Sequence, residues 1–268
     1  MTSPGKQRLS CLCAALLFTF PCFAQTSDPY LATISIDSTM PAQTPLGVSV
    51  KFSLHVDDPD TTAAFLSDIA GMQVLDVAVD AVQVAATARP TTTAAIEDKF
   101  LRSSFVIDFD EEPVLALQEE LLMEYGTSPT AEELVEFVYG HIDNKTYARS
   151  FDLASIVAAN GEGDCTEHAV LLAALARANG HHARVIFGTV IMAADKGLSA
   201  YGHAWTEIHD GSEWEIMDAT LPEGEPGTKG IRYLPTSILE DEGAGYSFGL
   251  FGLLNSMPTK ITGVSNID

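Results

Sequence analysis

Residues 161–180, GEGDCTEHAVLLAALARANG, constrain the fold most, because both ends of a helix are written into them. Asp164 serves as N-cap, and Glu167, three residues on, completes a capping box. Gly180 closes the helix as the residue past its end. Cys165 therefore falls at the first helical position, where unpaired N–H groups and the helix dipole favour negative charge. The reactive form of cysteine is the thiolate, so this position predicts a lowered thiol pKa, with Asp164 opposing the shift.

Cys165 matters more because of what precedes it. Lys6 and Arg8 lead into the apolar run CLCAALLFTFPCFA, and small residues at Cys22 and Ala24 have the spacing of an export cleavage site. Residues 1–24 read as a secretory signal peptide cut after Ala24. A membrane anchor is the competing reading, but the run is short for a span of about 20 residues. A lipid-modified Cys22 is disfavoured by the bulky Phe20 and Pro21 before it. No later stretch is apolar enough to cross a membrane, so the mature chain is expected to be soluble, periplasmic or secreted. Cys11, Cys13 and Cys22 leave with the leader, which excludes an intramolecular disulfide in a compartment that permits one. A lone thiol there is either buried for structure or used.

Loss of Lys6 and Arg8 leaves 12 Lys and Arg against 37 Asp and Glu, a formal net charge of −25. Nucleic acid and anionic membrane surfaces are poor partners for such a chain.

Residues 31–37, 47–56 and 73–86 carry strand-like patterns; in GVSVKFSLHV, Val48, Val50, Phe52, Leu54 and Val56 share one face. Residues 61–71 fit a short helix, 88–95 a Pro/Thr break, and 100–109 a further strand. After Pro113 helical spacing takes over in residues 113–126 and 128–142, with Ser128 as N-cap and Pro129 at the first helical position. SFDLASIVAAN reads as another helix. The capped Cys165 helix follows, then the β-rich run 183–193 and a hairpin. The tail beyond Pro222 is rich in Gly and Pro, with an apolar piece at 248–254. The fold class is α+β: a β-rich region over 25–108, then a domain over 109–268 with helices first and sheet second.

A nucleophilic cysteine needs a base, and the base an orienting group. Among seven histidines, the favoured one lies in YGHAWTEIHDGSEWEIMDAT. If Asp210 and Gly211 form a two-residue turn, His209 pairs with Ser212 and His203 lies directly opposite Asp218. Asp218 then accepts from one ring nitrogen and leaves the other for the thiol. Trp205 and Ile216 form the next pair and wall off the imidazole. An ordinary exposed cross-strand pair is the bland alternative. His168, three residues after Cys165 on the same helix, is the competing base. His181 and His182 follow the helix end and suit its negative pole. His55 and His141 have no partner in the pattern. Cys165, His168, Glu167 and Asp164 make a poor zinc set, and no metal or cofactor is expected.

GDCTEHAVLLAALARANGHHARVIFG, followed by GHAWTEI and WEIMDAT, resembles the transglutaminase-like superfamily, particularly its exported bacterial members. The blocks come in that family's order, Cys then His then Asp, across roughly residues 110–225. The resemblance implies a papain-like fold in which the Cys helix packs on an antiparallel sheet. It implies Cys165 as nucleophile, His203 as base and Asp218 as orienting acid. It implies chemistry on amide bonds of a protein or peptide substrate, by cross-linking, deamidation or hydrolysis; some members are inactive. Animal enzymes hold the oxyanion with an indole upstream of the cysteine. Here both indoles, Trp205 and Trp214, lie downstream, which leaves the Cys165 N–H and a second donor, for which Tyr147 is the candidate. No calcium-loop motif is present. Hydrolysis is therefore the expected activity, with cross-linking or a non-catalytic scaffold as alternatives.

Overall fold

The computed structural model describes residues 32–38, 40–41, 44–145, 151–194, 197–224, 228, 230–246 and 257–267. Residues 1–24, expected to be a signal peptide, Tyr147 and the 248–254 run lie outside these residues.

Nine strands form one mixed sheet among the described residues: β1 (Ala32–Ser38), β2 (Ser49–His55), β3 (Ala70–Val77), β4 (Ala81–Thr91), β5 (Ala183–Ala194), β6 (Gly197–His209), β7 (Trp214–Met217), β8 (Arg232–Ile238) and β9 (Lys260–Ile267). Their order is β3-β4-β2-β9-β1-β6-β5-β8, with β7 on β6. Val50, Phe52 and Leu54 alternate inward along β2, as the period-2 pattern requires. The last strand, β9, inserts between β2 and β1, pairing antiparallel with one and parallel with the other. The sheet curls until the end of β4 reaches β7, where the Trp214 N–H donates to the Thr92 carbonyl at 2.8 Å.

The helices are α1 (Pro59–Ser67), α2 (Glu112–Tyr125), α3 (Ala131–His141), α4 (Ala154–Asn160) and α5 (Cys165–Ala178). Every residue of α5 from Cys165 to Arg177 is buried. A helix apolar on nearly all sides has to be central, and α2, α3 and α4 pack around it while its remaining side lies on β5 and β6. The Thr206 hydroxyl of β6 donates to the Ala169 carbonyl of α5 at 2.8 Å and fixes helix against strand. A second core, built on Val50, Phe52, Leu54 and Ile261, lies among the N-terminal strands, α1 and β9.

Several local expectations are corrected. Residues 100–109 form no strand; a 3-10 turn at Asp98–Leu101 leads into irregular chain. Its apolar residues Phe100, Val106 and Ile107 are buried as separate anchors, and Asp108 accepts from the N–H and hydroxyl of Ser155 at 2.8 and 2.6 Å. The N-cap of α3 is Thr130 rather than Ser128, because the box partner Glu133 stands three residues after Thr130. The Pro/Thr stretch after residue 88 is no break at its start: β4 runs through Arg89 and Pro90. Residues 73–86 split at a turn between β3 and β4. The Gly/Pro-rich tail contributes β8 and β9, which short apolar runs did not disclose.

Candidate active site

The α5 start is built as the sequence indicates. Asp164 Oδ1 accepts from the Thr166 N–H at 2.9 Å, and Glu167 Oε2 returns the bond to the Asp164 N–H at 2.9 Å. Glu167 Oε1 also accepts the N–H groups of Phe151 and Asp152, at 3.0 and 2.9 Å, tying the incoming chain to the helix. Gly163 is required here: a Cβ on it would lie 2.2 Å from Glu167 Cβ.

The position of the Cys165 sulfur follows from an interruption in the sheet. On the side of β6 away from β5, β1 pairs with Ala200–Gly202 and β7 pairs with Thr206–His209. Among the described residues no strand pairs with 203–205 on that side. The Ala204 N–H in this gap is turned toward the Cys165 sulfur and favours its anion. The thiol of α5 therefore abuts β6 at the residue next to His203.

His203 Nε2 bonds Asp218 Oδ2 at 2.7 Å, with both side chains buried. Asp218 is fixed by three further donors: the Tyr233 hydroxyl to Oδ2 at 2.9 Å, and the Thr220 and Leu221 N–H groups to Oδ1 at 2.8 and 3.0 Å. Burial works to raise the Asp218 pKa, but His203 and the N–H groups of Leu221 and Thr220 outweigh it and hold the carboxyl below the usual range. An ionised Asp218 makes Nε2 the donor in this bond. The Trp205 ring stacks on His203 with centroids 6.1 Å apart, and Tyr233 packs edge-on to Trp205 at 5.2 Å.

The expected hairpin register is corrected. His209 pairs with Trp214 and Glu207 with Ile216, so the loop has four residues, Asp210 to Glu213. Asp210 Oδ1 accepts the Ser212 and Glu213 N–H groups at 2.7 and 2.8 Å, which closes a wider turn than the two-residue form. Those bonds also hold the exposed Asp210 carboxyl down to about 2. The register is displaced by two residues, an even number, so the side-chain faces are preserved. Asp218 stands one residue past β7 and reaches His203 diagonally rather than from directly opposite. Trp205 and Ile216 are likewise not a facing pair, although both belong to the same buried cluster.

The thiol pKa departs from expectation. Burial, followed by the Asp164 charge, pushes the Cys165 thiol well above its ordinary value, against the Ala204 hydrogen bond that favours the anion. With the sulfur 0% exposed, desolvation outweighs the helix terminus, and the resting form is the neutral thiol.

His168 is the histidine that the structure occupies otherwise. Its Nδ1–H donates to the Asp164 carbonyl at 2.6 Å, and its Nε2 accepts from Lys145 Nζ at 2.7 Å. Burial, then the neighbouring Lys145 charge, holds it at about 4, so it is neutral. His141 bonds the Ala158 carbonyl at 3.0 Å and His55 bonds Thr262 at 3.1 Å. The His181 N–H satisfies the Ala176 carbonyl at the end of α5. Among the described residues no group of His, Cys, Asp and Glu is arranged to hold a metal ion. No helix among them is long and apolar enough to cross a membrane.

A cavity of about 650 Å³ reaches Asp218 between β4, α3 and β7, with Arg89, Glu132, Glu136, Tyr139, Glu215 and Glu223 in its wall. Tyr233 and Lys145 carried no signal in the sequence: one lies in a tail without a motif, the other is a surface-type lysine outside any periodic pattern.

Residues 120–219 match the family model of the transglutaminase-like superfamily. No curated protein matches the sequence. Among solved structures, a candidate cysteine protease from Cytophaga hutchinsonii is 14% identical with a TM-score of 0.42, over 71% of this chain and 77% of that one. The periplasmic domain of TgpA from Pseudomonas aeruginosa is also 14% identical with a TM-score of 0.42, over 70% and 75%. The segment that holds Cys165, His203 and Asp218 is thus the part of the chain similar to the transglutaminase-like superfamily.

Proposed function

We propose that the protein is a cysteine-dependent acyl-transfer enzyme that acts on amide bonds of proteins or peptides, exported from the cytoplasm, with hydrolysis as its main outcome. The observation that carries this reading is that His203 is bonded to an ionised Asp218 while the Cys165 sulfur lies against the Ala204 N–H, one residue along β6 from His203. Nδ1 of His203 takes the thiol proton as sulfur attacks the carbonyl carbon. The imidazolium, steadied by Asp218, then gives that proton to the departing amine or ammonia. Water repeats the sequence on the thioester and releases the acid. Because burial keeps the thiol protonated at rest, the thiolate forms together with attack. The cavity beside Asp218 has exposed Glu132 and Glu136 at its mouth and so admits water.

Cross-linking is the second reading, favoured by one observation: the four glutamates of that cavity attract a cationic amine, which could compete with water for the acyl group.

Casein incubated with a fluorescent primary amine separates the two. New N-termini or released ammonia, absent in Cys165→Ala and His203→Ala, support hydrolysis. Cys165-dependent labelling of casein by the amine overturns hydrolysis as the main activity. No change in casein and no labelling, with a wild-type thiol that ignores iodoacetamide, overturns the enzymatic reading.

A further inference from the structure

Lys145 is an exposed residue whose ammonium is nonetheless held against the start of a helix. Its ammonium bonds Nε2 of His168 at 2.7 Å, and the same ring reaches back along α5 to the Asp164 carbonyl. Helical side chains lean toward the N-terminus, so the His168 ring covers the first turn and brings the amine to that turn, which begins at Cys165. The backbone holds it there as well. The Gly163 N–H donates to the Asn144 carbonyl at 3.1 Å, and the Asn144 side chain donates to Glu162 at 2.9 Å. Lys145 is thus tethered on both sides, to the turn just before Cys165 and to the helix just after it. Its amine also lies 5.1 Å from the Tyr139 ring centroid, and Tyr139 lines the cavity that reaches Asp218.

The N-terminal end of a helix is positive and disfavours a second positive charge. The close partner of Lys145 is a neutral imidazole, and no described carboxylate lies within ion-pair distance of it. Asp218 acts on it only through space, and burial of the amine lowers its pKa. An exposed ammonium held at a helix start, with no close carboxylate among the described residues, can meet a negative charge that develops on the substrate.

We propose that Lys145 is the second oxyanion donor of the site, held by neutral His168 so that its ammonium meets the carbonyl oxygen of the substrate. The assignment rests on the acyl-transfer reading. As the Cys165 sulfur bonds to the carbonyl carbon, the C=O π pair moves onto oxygen. That oxygen accepts from the Lys145 ammonium and the Cys165 N–H. When the pair returns, the C–N bond breaks and nitrogen leaves with the proton carried by His203. Lys145 gives up no proton in the cycle. His168 is a positioning residue; its ring fixes the amine and does not touch the substrate.

The test needs no knowledge of the substrate. Second-order alkylation of Cys165 is measured at pH 7.5 in the mature chain, residues 25–268, where it is the single cysteine, with neutral iodoacetamide and anionic iodoacetate. The ratio of the two rates reports the charge facing the sulfur. Lys145→Met is expected to lower the iodoacetate-to-iodoacetamide ratio about tenfold, while Lys145→Arg retains it. His168→Leu should lower the ratio as Lys145→Met does, and His168→Gln, which keeps an acceptor at the Nε2 position, should preserve it. Turnover of casein by Lys145→Met should fall about 100-fold in kcat with KM little changed. A ratio within twofold of wild type in a folded Lys145→Met protein whose thiol still reacts with iodoacetamide overturns the assignment alone. A wild-type protein that leaves casein unchanged and whose thiol is inert to both reagents overturns the acyl-transfer reading and this assignment with it.

Discussion

Tyr233 donates its hydroxyl to the same oxygen of Asp218, Oδ2, that His203 Nε2 engages, at 2.9 and 2.7 Å. The carboxylate that orients the imidazole is thus itself oriented from β8, a strand on the far edge of the sheet. Tyr233→Phe removes one donor to a buried anion and keeps the ring against Trp205. A hydrogen bond to a charged group contributes about 1.5–3 kcal/mol, so a stability loss of that order is expected in urea denaturation. The lost donation also raises the Asp218 pKa, and the acid limb of turnover should move to higher pH. A variant with wild-type stability and an unmoved acid limb would show that Tyr233 does not hold Asp218.

Two buried groups at the start of α5 should give opposite pH dependences of stability. Burial, then the Glu167 charge, raises Asp164 to about 7. Its folded pKa exceeds the unfolded one, so its contribution is full below the unfolded value and is lost as pH rises toward 7. His168 is held at about 4 by burial and Lys145. Its contribution is present above the unfolded value and is lost as pH falls through 4. Each is on the order of 3 kcal/mol, and they oppose one another between pH 4 and 6.5. Wild type should therefore show a shallow profile of urea midpoints. Asp164→Asn, which keeps the cap, should leave a protein that weakens on acidification; His168→Gln should leave one that weakens as pH rises to 7. Identical profiles for all three proteins would reject the argument.

Arg184 and Glu207 face each other across β5 and β6 and form a buried pair, with Nη2 to Oε2 at 2.6 Å. The guanidinium also lies 4.2 Å from the Trp214 ring centroid. Removing one partner strands a buried charge, so Glu207→Leu should cost about 3–5 kcal/mol. The double variant Arg184→Met/Glu207→Leu should recover most of that loss, since the desolvation of both charges disappears with them. A double-mutant cycle in guanidinium chloride checks this; additive losses would mean that packing, not the stranded charge, sets the cost.

The parts of the site legible in the sequence are those that local rules specify. The α5 cap needs only Asp164 and Glu167 at their spacing, and both bonds are present. The shared face of His203 and Asp218 needs only even parity, which survived an incorrect loop length. The hidden parts depend on distant chain. The direction of the Cys165 pKa shift is decided by how deeply the sulfur is buried, a property of the assembled core rather than of one helix. Tyr233 reaches Asp218 through β8, whose pairing with β5 no turn signal announces. Residues 100–109 had strand-like composition, yet the Asp108 carboxylate pairs with Ser155 of α4 and the Val106 N–H donates to the Glu242 carbonyl, partners that composition cannot reveal.

Gly188 lies directly opposite His203 across β5 and β6, at a shift in the register between β5 and β8. A Cβ there would stand 2.3 Å from the Leu234 carbonyl oxygen, 2.5 Å from Trp205 Cη2 and 2.9 Å from Pro235 Cα. Two of the three obstacles are backbone of β8 and cannot turn aside; the third is the ring stacked on His203. Gly188→Ala is therefore expected to cost about 1–3 kcal/mol by overpacking and to displace Trp205 from the imidazole, with a larger fractional loss of turnover than of stability. Gly202 on β6 is the matched comparison. Its nearest obstacle is Met257 Sδ at 2.8 Å, the flexible part of a side chain, so Gly202→Ala should cost less. Gly140 in α3 has nothing within 4 Å of its added Cβ, and Gly140→Ala should stabilise by about 0.5–1 kcal/mol through helix propensity. Melting curves and casein turnover of the three variants give the ranking. Equal losses at Gly188 and Gly202 would show that the Trp205 contact does not constrain the site.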